Sequence, residues 1–159
     1  MTRIKKAIPT LEYSFAGIKT VSFSYNIPDD LPQSQEDFQI NYQISPALGV
    51  NIEEKLIILN VKILGIIIMV DNEKNDEILK AEIRIAFRTE QIQLIFDTKK
   101  NPESPDFVRE NSRGFISSLI GIAIGTTRGM LIEKLAGTPY MNKYLPPMNP
   151  NIFLRDATE

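Results

Sequence analysis

Two hydrophobic spacings divide this chain. Up to Phe96 apolar side chains alternate with polar ones, the period-two signature of half-buried strands, and beyond Ser104 they crowd into a helical stretch followed by a proline-rich loop. From Tyr13 to Tyr25 the set Tyr13, Phe15, Val21, Phe23 and Tyr25 holds the odd positions, with serines and Thr20 opposite, and Gly17 marks a bulge or bend. A two-proline loop, IPDDLP, leads to a second strand in which Phe38, Ile40, Tyr42 and Ile44 alternate with Gln39, Asn41 and Gln43, closed by Ser45-Pro46.

The third strand, Lys55 to Val70, is the most apolar. Its odd positions Ile57, Leu59, Val61, Ile63, Ile67 and Met69 form one face, while the even face is wet at Asn60 and Lys62 and turns apolar at Leu64, Ile66 and Ile68. A strand apolar on both faces at one end implies a second contact: a subunit interface, a groove for an apolar ligand, or a covering loop of the same chain. DNEKND predicts the turn into a fourth strand with Leu79, Ala81, Ile83, Ile85 and Phe87 on one face. The parity switch to Ile92, Leu94 and Phe96 reads as a bulge in the same long strand.

Ser104-Pro105-Asp106 has the character of a helix start, with a capping hydroxyl, a proline suited to the first turn and an early carboxylate. Gly137, with Lys134 before it and Pro139 after, supplies the stop. Inside lie Gly121, Gly125 and Gly129 on one side, while isoleucines, leucines and Met130 surround the rest. Three interior glycines each cost about 1 kcal/mol relative to alanine, so the spacing predicts close approach of another backbone, here a second subunit. The uncharged run Phe115–Thr127 is shorter than a membrane span needs, so no membrane insertion is expected. Four strands then a helix, without βαβ alternation, predict an α+β fold: a four-stranded antiparallel meander sheet, one long helix and a short C-terminal helix over 149–156.

Composition narrows the chemistry. The 159 residues, 43% of them hydrophobic, fit one domain, with residues 1–10 as a flexible extension. A net charge of −2 gives no electrostatic case for nucleic acid as the main partner, and no signal peptide is visible, so the expected location is the cytoplasm. There is no cysteine and no histidine, which removes thiol catalysis, histidine triads and the commonest transition-metal ligands together. The local acidic pairs, such as Asp29-Asp30, lie in polar connections. The chain reads as a non-enzyme without cofactor or metal.

The Gly137–Pro150 loop carries Tyr140, Met141, Tyr144 and Met148 among four prolines. Such residues either anchor the loop in the core or line a binding surface, where methionine suits varied partners. With Leu64, Ile66 and Ile68 as floor and these four as wall, they make up the candidate client groove.

The order of elements resembles the SecB family of protein-export chaperones. VSFSYN in the first strand is similar to that family's strand signature. Arg128 before the helix end, Gly137-Thr138, and then Leu145, Pro147 and Asn149 match a second signature in spacing. The resemblance, over residues 13–156, implies a homo-oligomer built as a dimer of dimers around the long helix, holding unfolded polypeptide without nucleotide and delivering it to the motor SecA. Acids on the outer sheet face dock the basic zinc domain of SecA in that family. Here Thr20 and Ser24 stand at two such positions and only Glu82 keeps an acid. That departure speaks against SecA and keeps open a chaperone dedicated to one partner, such as an antitoxin, or an adaptor oligomer of the same fold.

Overall fold

The computed structural model describes residues 10–69, 72–104 and 106–154. The extension expected to be flexible therefore lies almost wholly outside the described residues. Strands β1 (Ser14–Tyr25), β2 (Phe38–Asn51), β3 (Leu56–Met69) and β4 (Asn72–Arg88) form one antiparallel sheet, followed by a one-turn helix α1 (Ile92–Ile95) and the long helix α2 (Arg113–Leu135). A 3-10 turn, Pro150–Leu154, closes the described chain in place of the expected C-terminal helix.

Strands β2, β3 and β4 form the meander, and β1 returns to pair with β4, giving the order β1-β4-β3-β2. The inner face is the odd face of β3 and β4: Ile57, Leu59, Val61, Ile67, Ile83, Ile85 and Phe87 have at most 1% of their surface exposed. Each fully buried side chain of this kind contributes about 1.5–3 kcal/mol, so this double row supplies much of the driving force for folding. Helix α2 lies over it with Ile116, Leu119, Ile120, Ala123, Ile124 and Leu131 buried. By length and hydropathy α2 could cross a membrane, but its packing on the sheet reads it as a core helix.

Four local expectations are corrected. Pro46 does not close the second strand: β2 continues to Asn51, because β2 is an edge strand and an edge tolerates a residue without an N–H. The segment around Ile92 is no bulge. Gln91 N–H meets Thr89 Oγ1, the Ile95 N–H returns to the Gln91 carbonyl, and Ile92 and Ile95, three apart, are buried while Leu94 is 47% exposed. Most of DNEKND is strand, Asn72 onward belonging to β4, and residues 70–71 lie outside the described residues.

The fourth correction concerns the long helix. It does not start at Ser104-Pro105-Asp106, of which Pro105 lies outside the described residues, but at Arg113 after a 3-10 turn at Glu110–Ser112. Phe107 is buried and stacked on Phe96 with ring centroids 5.0 Å apart, and Arg109 N–H donates to the Ile95 carbonyl. Burial of one phenylalanine against α1 thus outweighs a local capping preference worth about 1 kcal/mol. The stop is as expected, with Gly137 at φ +77°.

Strand β1 has two register shifts, at Phe15/Gly17 and at Thr20/Ser22. Gly17 predicts the first. The second restores the parity that the first inverts, so Phe15, Ile18, Thr20, Phe23 and Tyr25 are the residues opposite inner-face positions of β4, and Val21 sits in the bulge.

Candidate functional site

Helix α2 organises the loop that follows it. At mid-helix Arg128 donates from Nε to the Leu145 carbonyl at 2.9 Å and from a terminal nitrogen to the Pro146 carbonyl at 2.8 Å. Both acceptors lie in a proline-rich stretch with few N–H groups to form a ladder, so the guanidinium fork does the work of secondary structure. Thr138 N–H and Oγ1 both return to the Leu135 carbonyl, which turns the chain sharply after the helix.

The loop is pinned to the sheet on the inner side. Tyr140 is fully buried, its hydroxyl donates to the Asn26 carbonyl at 2.6 Å, and its ring meets Phe38 and Tyr25 edge-on. Lys143 donates to the carbonyls of Gln35 and Phe38 and lies 4.5 Å from the centroid of the Phe38 ring. The Tyr42 hydroxyl reaches the Lys143 carbonyl at 2.5 Å. Burial pushes the Tyr42 phenol up to about 12, and burial with the neighbouring Tyr25 does the same to Tyr140, so both remain hydrogen-bond donors at any physiological pH.

Against this fixed frame Met141 and Tyr144 are 45% and 55% exposed, and Met148 is half-buried. The four loop residues expected to act as a wall therefore separate: Tyr140 is an anchor in the core, which corrects its assignment to client contact, and Met141 and Tyr144 are presented to solvent. They line a cleft with Leu131, Ile132 and Leu135 of α2, and through the Tyr42–Lys143 bond the loop joins the inner row of β2, Ile40, Tyr42, Ile44 and Leu48, which is half-buried and packed against the core. That row escaped the sequence reading because alternation shows which residues share a face, not whether a helix is wide enough to cover it.

Leu64, Ile66 and Ile68 do stand on an exposed apolar face. Leu64 and Ile66 are half-buried and Ile68 is 44% exposed. They are on the outer face of β3, however, whereas the loop is tied to Phe38 and Tyr42 on the inner face. Floor and wall as expected from sequence lie on opposite sides of the sheet and do not form one groove within a chain. Glu82 is also on the outer face, in register with Lys62.

The glycine side of α2 is divided. A side chain at Gly121 would come within 3.3 Å of Pro150, so its close neighbour is the C-terminal 3-10 turn, which Ser117 Oγ also ties down through Asn151 Oδ1 at 2.5 Å. Gly125 and Gly129 meet nothing within 4 Å, and Ile122 and Ile132 beside them are 38% and 44% exposed. With the edge strand β1, where Tyr13, Phe15, Ile18, Val21 and Tyr25 are all more than 40% exposed, they leave a broad apolar margin uncovered. Among the described residues no cluster of metal-ligating side chains occurs.

No family model and no curated protein matches the sequence. Among solved structures, the SecB-like chaperone Rv1957 of Mycobacterium tuberculosis, in complex with a ChAD peptide from the HigA1 antitoxin, superimposes with a TM-score of 0.51. The match is 12% identical and covers 86% of this chain and 88% of that one. The chain therefore has a SecB-like fold, as its element order and its Arg128 and Gly137-Thr138 signature imply.

Proposed function

We propose that this protein is a nucleotide-independent chaperone that holds an extended or non-native polypeptide along the inner face of β2. The observation that carries the reading is an exposed Met141 and Tyr144, lining a cleft with Ile132 and Leu135 of α2, on a loop held by Arg128, Lys143, Tyr42 and Tyr140 and tied through Tyr42 to the half-buried inner row of β2. A rigid wall lowers the ordering entropy that binding must overcome, and a methionine and a tyrosine adapt to different client side chains. The antitoxin peptide held by the structurally similar mycobacterial protein supports a protein client, including a dedicated one, and the role is non-catalytic. The outer residues Leu64, Ile66 and Ile68 form a second apolar surface separate from this groove.

The open margin of β1, Gly125 and Gly129 supports assembly into a homo-oligomer, a dimer of dimers in the arrangement the fold implies, in the cytoplasm. Delivery to SecA is not part of the reading, because of the acids such docking uses in the SecB family only Glu82 is kept, and Lys62 stands in register with it.

The test is a pair of measurements on Met141→Ser/Tyr144→Ser and on Tyr144→Ser/Met148→Ser. Suppression of aggregation of an unrelated unfolding protein, without nucleotide, should fall while the melting temperature and oligomer size hold. If both variants protect the client as well as the parent, the loop is not the client wall and the proposal fails.

A further inference from the structure

The outer face of the sheet is unlike the rest of the molecule in charge. Lys19 on β1, Arg84, Lys80 and Arg88 on β4, and Lys62 on β3 all point outward and are exposed, against Glu82 and Glu77 on the same face. Five cations against two carboxylates stand out in a chain whose net charge is −2. Four of the five are close together: Lys19 is in register with Arg84, Lys62 with Glu82, and Lys80 with Leu64, in three successive rows. Adjacent strands are about 4.8 Å apart and same-face neighbours about 7 Å, so these charges repel one another unless something negative lies over them.

Little within the chain does so. Of these five cations only Lys80 has a carboxylate within ion-pair distance among the described residues, Glu77 at 2.6 Å; Glu82 stands among them in register with Lys62, and Arg84 donates from Nε to the neutral Asn60 amide oxygen at 2.8 Å. A shallow groove of about 340 Å³ is lined by Lys62, Lys80, Glu82, Ser22, Gln43 and Ser45, with Leu64 at its end. From Lys62 the even side chains of β3 continue as Leu64, Ile66 and Ile68, flanked by the uncharged row Gln39, Asn41 and Gln43 of β2. The face thus runs from cationic to apolar over about 20 Å of strand.

We propose that this face docks an acidic polypeptide segment: an extended chain whose carboxylates lie over Lys62, Lys80, Arg84 and Lys19, and whose following apolar side chains lie on Leu64, Ile66 and Ile68. Charge complementarity selects the sign of the partner. The apolar continuation selects polypeptide over nucleic acid. A nucleic acid would need cations tracking a phosphate backbone and surfaces on which bases stack, and no aromatic side chain stands on these outer positions. Docking here does not rest on the holding of clients at the loop after α2, which is tied to the opposite face.

The experiment is fluorescence anisotropy of the full chain with a labelled, capped peptide bearing a run of aspartates followed by leucines. The comparison ligands are the same peptide with lysines for aspartates, a single-stranded oligonucleotide, and vesicles of anionic phospholipid. The acidic peptide should bind, and bind more weakly as salt is raised. Lys62→Gln/Lys80→Gln should reduce its affinity by about tenfold, with melting temperature and oligomer size unchanged, since each exposed pair contributes modestly. Met141→Ser/Tyr144→Ser should leave it unchanged. The proposal is overturned if the lysine peptide binds as well, if the oligonucleotide or the vesicles bind more tightly, if the glutamine variant binds as the parent does, or if the loop variant abolishes binding.

Discussion

The two edges of the sheet are built from the same kinds of residue and are treated differently. At the β2 edge the chain supplies its own cover: the loop after α2 is tied down through Tyr42, Tyr140, Lys143 and Arg128, and only selected side chains, Met141 and Tyr144, are left out. At the β1 edge Tyr13, Phe15, Ile18 and Tyr25 keep more than 40% of their surface exposed despite the contacts of Tyr13 with Phe115 and of Tyr25 with Tyr140, and Gly125 and Gly129 of α2 face open space. A broad continuous apolar surface, rather than isolated exposed residues, is what an interface with another copy requires. The first edge is thus covered within one chain, while the second is left open by the described chain.

The largest blow to the covered edge should come from Tyr140→Ala. Removing a fully buried ring with its hydrogen bond to Asn26 leaves a cavity worth about 3–5 kcal/mol, read as a lower denaturation midpoint together with proteolytic cleavage in 137–150. Unchanged stability would mean that the loop is not anchored there.

Alkali should act on the same edge. The folded-state pKa values of Tyr42 and Tyr140 are raised to about 12 from an ordinary 10, so the folded chain keeps protons that the unfolded chain loses. Stability from this source is intact below pH 10 and is lost as pH rises from there towards 12, by up to about 1.4 kcal/mol per pH unit for each tyrosine. Urea midpoints measured across that range should fall, and Tyr42→Phe should remove about half of the slope. An identical slope in the variant would rule out Tyr42 as a source.

For the open edge, Gly125→Leu separates assembly from folding. Within one chain a Cβ added at this position meets nothing within 4 Å, so secondary structure should be retained, whereas overpacking between two copies should cost about 1–3 kcal/mol and reduce the oligomer size seen by light scattering. A parent protein that already ran as an 18.0 kDa monomer at micromolar concentration would remove the distinction between the edges. The smallest stability effect belongs to Ile68→Ser, an exposed outer-face change expected within about 0.5 kcal/mol; a larger loss in the melting transition would show that the outer face is covered.

The faces of β3 and β4 and the end of α2 were legible in the sequence, because alternation and a glycine beyond the last turn are local signals. Other features were hidden. The second bulge of β1 has no glycine to announce it, and it decides that Phe23 and Tyr25 rather than Ser22 and Ser24 face inward. Ile92 to Phe96 fits a strand or a helical turn equally over so few residues, and burial of Ile92 and Ile95 on one side chose the turn. The candidate surfaces were half legible: the loop and the even face of β3 could be read as apolar stretches, but their placement on opposite sides of the sheet depends on how the loop crosses α2.

By itself the sequence determined the four strands and the long helix, the buried face of the central strands and the absence of histidine and cysteine chemistry, since these follow from side-chain period and identity. Only the tertiary structure decided that β1 lies beside β4, that Tyr140 is an anchor while Tyr144 is exposed, and that outward cations gather around Lys62 and Lys80. Those are relations between residues far apart in the chain. They are settled by which burials can be satisfied together, and no local pattern carries that information.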